Sequence, residues 1–363
     1  MKRIILFCFL SSFSFITYSQ EAPLVQMRGT WITNVASDAM LTPENVKASV
    51  ANCKRNGLTD IFVVVWNNGL TMYPSEVLKK HIGILQDPIY KGFDPIKAYV
   101  EEGHKAGLRV HAWFEFGAAY AYKDSSLNNW LARYPHWAGR NKKGTLLKKN
   151  EFYWWNAMHP EVQNFLTDLI LEVVKKYAVD GVQGDDRLPA MPGEGGYDDY
   201  SVNLYKQQHN GSLPPLNEKD PAFIQWKADQ LSAFGKNIYQ AVKKQRANCW
   251  VTWAPSIYPW SKEQYLQDWP AWINGGYADY ILPQLYRYNL TAYEKILKEL
   301  SNQVSTTLKK RVFPGVLTSL GDGYRVDPTL LQQMIQLNRA NGFEGEVFFY
   351  YETIKESKTA IYK

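Results

Sequence analysis

The stretch Tyr177-Ala178-Val179-Asp180-Gly181-Val182-Gln183-Gly184-Asp185-Asp186-Arg187 decides the fold. It reads as a short strand of apolar and small residues that stops in two adjacent carboxylates. A buried strand that stops in charge presents that charge to something. Upstream, Val162, Phe165, Leu166, Leu169, Ile170, Val173, Val174 and Tyr177 recur at helical spacing, Pro160 suits the first turn, and Lys175 and Lys176 suit the last. Helix and strand together make one step of a parallel α/β fold, in which ligands and catalysis gather at the C-terminal mouth of the strands.

The same alternation runs the length of the chain. Strands are expected at 28–34, 60–67, 108–116, 180–185, 250–255, 279–286, 311–318 and 346–351, each rich in Val, Ile, Phe, Trp or Tyr. Thr42-Pro43-Glu44 and Asp94-Pro95 are cap-then-proline helix starts, and Gly57, Gly107 and Gly342 stand where a helix must turn into the next strand. Eight units in 363 residues favour a closed (β/α)8 TIM barrel over an open sheet, whose edge strands would carry poorer apolar content. No linker or repeat interrupts them, so residues 20–363 read as a single domain. No Gly-rich phosphate loop follows the first strand, which removes the main support for nucleotide binding.

Two connections are too long to be mere turns: 117–159 after the third strand, and 187 to about 218 after the fourth. The first carries Trp130, Tyr134, Trp137, Tyr153, Trp154 and Trp155 among Lys and Arg residues, which suits a groove wall for an extended polar ligand. Aromatic residues make up 15% of the chain, enough for sugar-stacking faces as well as core.

Residues 1–19 read as a signal peptide: Lys2 and Arg3, an apolar run from Ile4 to Ile16, then Thr17-Tyr18-Ser19 with small residues at the cleavage positions. A periplasmic or secreted protein beginning near Gln20 is expected. That run is short for a bilayer span, and no later segment approaches the required length of about 20 apolar residues, so no stable membrane anchor is expected. Cys53 and Cys249 could pair in a disulfide or stand as buried thiols; an apolar helix face and a strand start favour the thiols. The formal charge of +6 is spread without a basic run, so nucleic acid is not an expected partner.

At the strand ends the chain places Trp66-Asn67-Asn68, His111-Ala112-Trp113-Phe114-Glu115, Asp185-Asp186-Arg187, Trp253-Ala254-Pro255, Pro283-Gln284-Leu285-Tyr286 and Tyr350-Tyr351-Glu352. Hydrolysing an acetal needs one carboxyl group to protonate the leaving oxygen and another to attack carbon or activate water. Asp185 is the first candidate, its alternative being to neutralise Arg187 or cap the loop. Asp186 falls on the other side by strand alternation, as a support or a reactant. Glu115 shares a face with His111 and Trp113, and is either an acid or a buried Glu paired with Arg. Glu352 is an acid or a helix-start charge. Trp66, Asn67, His111, Trp113, Arg187, Trp253, Gln284, Tyr286 and Tyr351 could orient hydroxyls or stack on rings, each with core packing as its alternative. The six His are scattered, so no metal is expected in catalysis, with a Ca²⁺ on the Asp-rich loop left open, and no cofactor is needed. No Gly-x-Ser-x-Gly elbow offers a serine nucleophile.

Arg28-Gly29-Thr30-Trp31, Leu108-Arg109-Val110-His111-Ala112-Trp113-Phe114, Tyr177 to Val182 with Asp185-Asp186, and Asp279-Tyr280-Ile281-Leu282-Pro283-Gln284-Leu285-Tyr286 resemble bacterial glycosyl hydrolase-like family 10, a secreted TIM-barrel group. The resemblance covers nearly the whole mature chain and implies glycosidase activity on an extracytoplasmic glycan, its best understood relatives cleaving peptidoglycan strands stripped of peptides. This chain departs from the family pattern: Arg187-Leu188-Pro189-Ala190-Met191 replaces the aromatic continuation after the Asp pair, and Glu115 replaces the usual Asn. A different pocket and glycan are implied. Asp180-Gly181-Val182-Gln183-Gly184-Asp185 is also similar to the fourth-strand motif of α-amylase-like barrels, which implies Asp185 as nucleophile. The Glu acid those barrels carry on the fifth strand is missing from Val251-Thr252-Trp253-Ala254-Pro255, leaving Glu115 first and Glu352 second as acid. The expected protein is a paired-carboxylate glycoside hydrolase with an oligo- or polysaccharide substrate. The alternatives are a catalytically inactive glycan-binding barrel of the cell envelope and a structural envelope protein.

Overall fold

The β-branched and aromatic runs become eight strands: β1 (Arg28–Ile32), β2 (Asp60–Val64), β3 (Arg109–Phe114), β4 (Gly181–Gly184), β5 (Trp250–Trp253), β6 (Tyr280–Ile281), β7 (Gly315–Leu317) and β8 (Glu346–Phe349). These come from a computed structural model that describes residues 24–362 apart from positions 322 and 358. The expected signal peptide lies outside the described residues. All eight expected strands are present, each trimmed at one or both ends where the chain leaves the ladder for a loop. They pair in parallel in the order β6-β5-β4-β3-β2-β1-β8-β7. Backbone bonds close the seam: the Ile281 N–H donates to Arg311 O (3.0 Å), the Gly315 N–H to Pro283 O (2.8 Å) and the Leu285 N–H to Gly315 O (2.9 Å). The result is a (β/α)8 barrel without an open edge.

Around it run α1 (Pro43–Arg55), α2 (Pro95–Lys105), α3 (Pro160–Lys176), α4 (Pro221–Gln245), α5 (Trp269–Asn274), α6 (Leu290–Gln303), α7 (Pro328–Ala340) and the short α8 (Glu352–Glu356). The cap-then-proline signals hold: Thr42 accepts from the Asn45 N–H and Asp94 from the Lys97 N–H. Gly57 and Gly107 both carry φ of +73°, the left-handed turn that brings a helix back to its strand. Among the described residues no helix is long and apolar enough to cross a membrane. Cys53 and Cys249 are buried free thiols, and burial pushes the Cys249 thiol up to about 12.

Strand alternation fills the barrel in layers. On the floor, Asp60 accepts from Arg109 (2.7 and 2.6 Å) and lies 2.9 Å from His111 Nε2, whose ring stacks between Phe62 and Trp250. Above it, Trp31 Nε1 donates to Gln183 Oε1 (2.7 Å), Gln183 Nε2 donates to Thr252 Oγ1 (3.1 Å), and the Trp113 and Phe349 rings pack on Trp31. Two residues further along β1, β3 and β4 stand Thr33, Glu115 and Asp185, which therefore share the mouth.

The β3–α3 loop builds its own three-stranded antiparallel sheet from Ala119–Tyr122, Lys148–Lys149 and Phe152–Trp154. Its tryptophans do not line a groove. Trp130, Trp137, Trp154 and Trp155 are buried, and three of them crowd Phe165 of α3 at 5.1 to 5.7 Å between ring centroids. Each ring removes about 150–250 Å² from water, a gain that an exposed wall would forgo.

The loop after β4 is held by Lys227 of α4, which is fully buried and donates through Nζ to Gly193 O and to Gly195 O (3.0 Å). Burial lowers its amine from 10.5 to about 7. Between those values the unfolded chain binds the extra proton, so stability contributed at this site rises with pH across the window. Urea melts are expected to show wild type gaining stability from pH 7 to 9.5 relative to Lys227→Met; equal slopes in the two proteins would contradict the assignment.

Candidate active site

The turn after β4 sets the site. A Cβ on Gly184 would lie 2.4 Å from Leu188 O and 2.6 Å from the Trp253 ring, so only glycine lets the chain fold back this closely. The Leu188 N–H then donates to Asp185 O (3.0 Å), and Gln267 Nε2 donates to the same carbonyl (2.9 Å). Strand alternation ends at this turn, which corrects the expectation that Asp186 faces away: Asp185, Asp186 and Arg187 all address the mouth. Gly117, whose would-be Cβ lies 2.0 Å from Arg187 O, lets the β3–α3 loop close over the same turn, and the Ala118 N–H donates to Arg187 O (2.9 Å).

Arg187 is the hub. Its Nε donates to Glu115 O (3.0 Å), Nη2 lies 3.7 Å from Glu115 Oε1 and 3.8 Å from Asp185 Oδ2, and Nη1 lies 3.1 Å from Asp186 Oδ1. Its guanidinium sits over the rings of Phe152 (4.7 Å) and Phe116 (5.3 Å). Each carboxylate has further support. Asn67 Nδ2 (2.7 Å) and Thr33 Oγ1 (3.4 Å) donate to Glu115 Oε2, and Gln284 Nε2 donates to Asp185 Oδ1 (2.6 Å). Because both oxygens lie within 3.8 Å of one nitrogen, Glu115 Oε1 and Asp185 Oδ2 can be no further apart than twice that distance. The pair therefore falls inside the outer limit of about 9.5 Å for two glycosidase carboxyls.

Three carboxylates face one guanidinium, and the excess shows in their acidities. Burial raises all three. At Asp185 the neighbouring Asp186 charge adds to it and Arg187 opposes, leaving the carboxyl well above its usual range. At Glu115 Arg187 and Asn67 offset part of the rise, and at Asp186 Arg187 alone does. Tyr286 is pushed far up by burial and then by the charges of Asp185, Asp186 and Glu115. Side-chain exposure is 5% at Asp185, 12% at Glu115 and 21% at Asp186, so Asp186 is the most open to solvent. Such a cluster holds a proton that an isolated carboxylate would release, the condition for a general acid.

Of the expected residues, Asp185, Asp186, Glu115, Asn67, Arg187, Gln284 and Tyr286 come together. Gln284 orients Asp185 rather than standing free for a ligand. Six others lie elsewhere. Glu352 accepts from Ser37 (2.7 Å) at the start of α8, and Tyr351 Oη accepts from Asn52 of α1 (3.0 Å). His111 belongs to the floor, and Trp113 to the layer beneath the carboxylates. Trp66 donates to Gly117 O (2.9 Å) against Trp155, and Trp253 donates to Tyr277 O (3.2 Å) against Trp272, outside the barrel. Their apolar area places them in core. Thr33, Phe116, Phe152 and Gln267 were not anticipated. Thr33 carried a signal, because it shares strand parity with Trp31; Phe152 and Gln267 arrive from loops whose path no local pattern encodes.

Ligand atoms of His136, His159 and Glu161 lie within 4.8 Å of one another at the start of α3. Their bonds already serve the helix end: His159 Nδ1 accepts the Glu161 N–H (3.3 Å), and Glu161 Oε2 accepts from Trp137 Nε1 (2.8 Å). None of the three belongs to the carboxylate cluster.

Residues 26–332 match the model of the family described as Glycosyl hydrolase-like 10. Glycosyl hydrolase DigH of Escherichia coli (strain K12) is 24% identical over 360 residues, covering 90% of this chain and 80% of its own. Glycosyl hydrolase YngK of Bacillus subtilis (strain 168) is 24% identical over 347 residues, covering 84% of this chain and 62% of its own. Among solved structures, the PgaB (BpsB) glycoside hydrolase domain from Bordetella bronchiseptica is similar at a TM-score of 0.63 and 14% identity, over 92% of this chain and 99% of that one. The GH42 β-galactosidase Gan42B from G. stearothermophilus is similar at 0.64 and 11%, over 92% and 52%. At such identities the two structures speak for the fold alone. The family match spans most of the chain: this protein belongs to glycosyl hydrolase-like family 10.

Proposed function

We propose that this chain hydrolyses glycosidic bonds of a polysaccharide or cell-wall glycan outside the cytoplasm, using the mouth carboxylates. The observation that carries the reading is the bounded separation of Glu115 and Asp185 around Arg187. Asp185, held by Gln284, serves as nucleophile or charge stabiliser, and Glu115, with its acidity lowered by burial, as acid/base. Asp186 adds negative charge at the solvent side and helps keep a proton in the cluster. Names of the relatives support a glycosidase, and the leader-like start supports export. Arg187 itself favours a second reading, a barrel that binds glycan without cutting it, because its cation occupies the space between the carboxylates.

The two readings part at Asp185→Asn. A panel of denuded peptidoglycan, α-glucans and other bacterial and plant polysaccharides is incubated with each protein. The variant is expected to lose product release by about 10²–10⁴-fold while wild type cleaves. Binding without cleavage by wild type would favour the recognition reading, and near-normal turnover in the variant would remove Asp185 from the mechanism. The same variant tests the electrostatics. With its folded pKa raised above 3.8, Asp185 contributes stability in acid that is lost as pH rises through the raised value. The neutral Asn escapes that loss, so its melting temperature at neutral pH is expected to exceed that of wild type.

Arg187 lowers the pKa values of Glu115, Asp185 and Asp186 together. Without its charge the retained proton is released at higher pH. In Arg187→Gln the alkaline limb of kcat/KM is therefore expected to move upward in pH; a limb that stays put would show that another group supplies the proton.

A further inference from the structure

Beyond the carboxylates, the loops after β4 and β5 enclose a cavity of about 510 Å³, within the range of about 300–1,000 Å³ typical of small-molecule sites. Its wall mixes two kinds of surface. Tyr258, Pro259 and Pro221 offer apolar faces, while Glu194, Glu218 and Glu263 offer acceptors. Lys219 and Lys262 do not outnumber those acids, so the lining has no bias toward a phosphate. The charges equally disfavour a purely apolar ligand. A pyranose, with apolar ring faces and a rim of hydroxyls, fits both halves.

The cavity is tied to the catalytic cluster. Lys149 Nζ donates to both Glu194 oxygens (2.9 and 3.1 Å) and to Gln264 Oε1 (2.8 Å) in the cavity wall, and lies 4.9 Å from the Tyr265 ring centroid. After burial, the Asp186 charge is the next cause that raises the Tyr265 hydroxyl to about 12. Trp260, two residues beyond Tyr258, is 45% exposed and packs 5.5 Å from Tyr265. In the loop after β3, Tyr122 is 41% exposed and packs 5.0 Å from Phe152, the ring beneath Arg187. Tyr122 follows β3, Trp260 follows β5, and Asp185 ends β4 between them. Exposed aromatic rings thus come from the loops that follow the two strands flanking β4.

We propose that the cavity beside Tyr258 is a remote sugar subsite, and that the substrate is an extended glycan strand running from Tyr122 across Asp185 to that cavity and cut internally. The inference rests on the glycosidase reading above for the cut, and on the cavity itself for the grip. A site that held only a terminal sugar would have no use for exposed rings in both loops.

The test uses the polysaccharide of the panel that wild type cleaves, as long strands and as the shortest cleavable fragment. Tyr258→Ala removes the stacking face; Lys219→Trp, at an exposed position, fills the cavity without touching core. Melting temperatures confirm that both fold. For each variant KM is expected to rise about tenfold on long strands with kcat retained and the fragment unaffected, and wild-type products are expected to be internal fragments. Unchanged KM on long strands, equal loss on both lengths, or release of single terminal sugars would overturn the proposal. If wild type cleaves nothing in the panel, the glycosidase reading falls and binding decides the subsite. An affinity for long strands of any panel polysaccharide that weakens about tenfold in both variants sustains it; no binding by wild type, or equal affinity in the variants, removes it.

Discussion

The mouth of this barrel is organised by one guanidinium shared among three carboxylates. Arg187 can do this because Gly184 lets β4 turn back on itself and Gly117 lets the β3–α3 loop close over the turn, so that neighbouring residues face one space. Each contact serves two ends. The cation makes it tolerable to bury Asp185, Asp186 and Glu115 together, and its plane over Phe152 and Phe116 fixes where they stand. Without that pairing three carboxylates in this space would repel one another and take up protons instead.

The floor of the same barrel uses similar residue types with the opposite result. Asp60 is more deeply buried than Asp185, and burial alone would raise its carboxyl, yet hydrogen bonds from His111 and Arg109 win and hold it below its usual value. There one carboxylate is served by Arg109, His111 and Thr59 Oγ1 (2.6 Å). At the mouth one guanidinium serves three acids, and the balance reverses. Ratio of donors to carboxylates, more than depth, separates the floor of the barrel from its mouth.

The eight-fold alternation was legible because each strand and helix carries its own period and caps: Thr42 and Asp94 stand at the helix starts their sequence predicts, and the strand runs differ only at their ends. The pairing of Glu115 with Asp185 was legible for the same reason, since strand parity places both above the Trp31–Gln183 layer. Parity failed where the ladder stops. Asp186, expected to face away, turns with the chain after Gly184, and Trp66 leaves the barrel pattern to join the loop core around Trp155. The aromatic run at 130–155 shows the other limit. Composition identifies rings that can stack on sugars, but not whether Phe165 and neighbouring tryptophans take those faces first. Only the three-dimensional path of the loop decides that.

Glu115 and Arg187 gain meaning from their geometry. Glu115 and Arg187 stand 72 residues apart in sequence, yet Arg187 reaches both the carboxylate and the backbone oxygen of Glu115. Either residue alone would be costly in this setting: a buried Glu115 would lack its cation, and Arg187 would face only Asp185 and Asp186. Together they contribute one acid and one cation, whose charges offset each other while Glu115 offers a site for a proton. A mouth with this matched pair keeps a buried acid and the cation that makes its burial tolerable in one place.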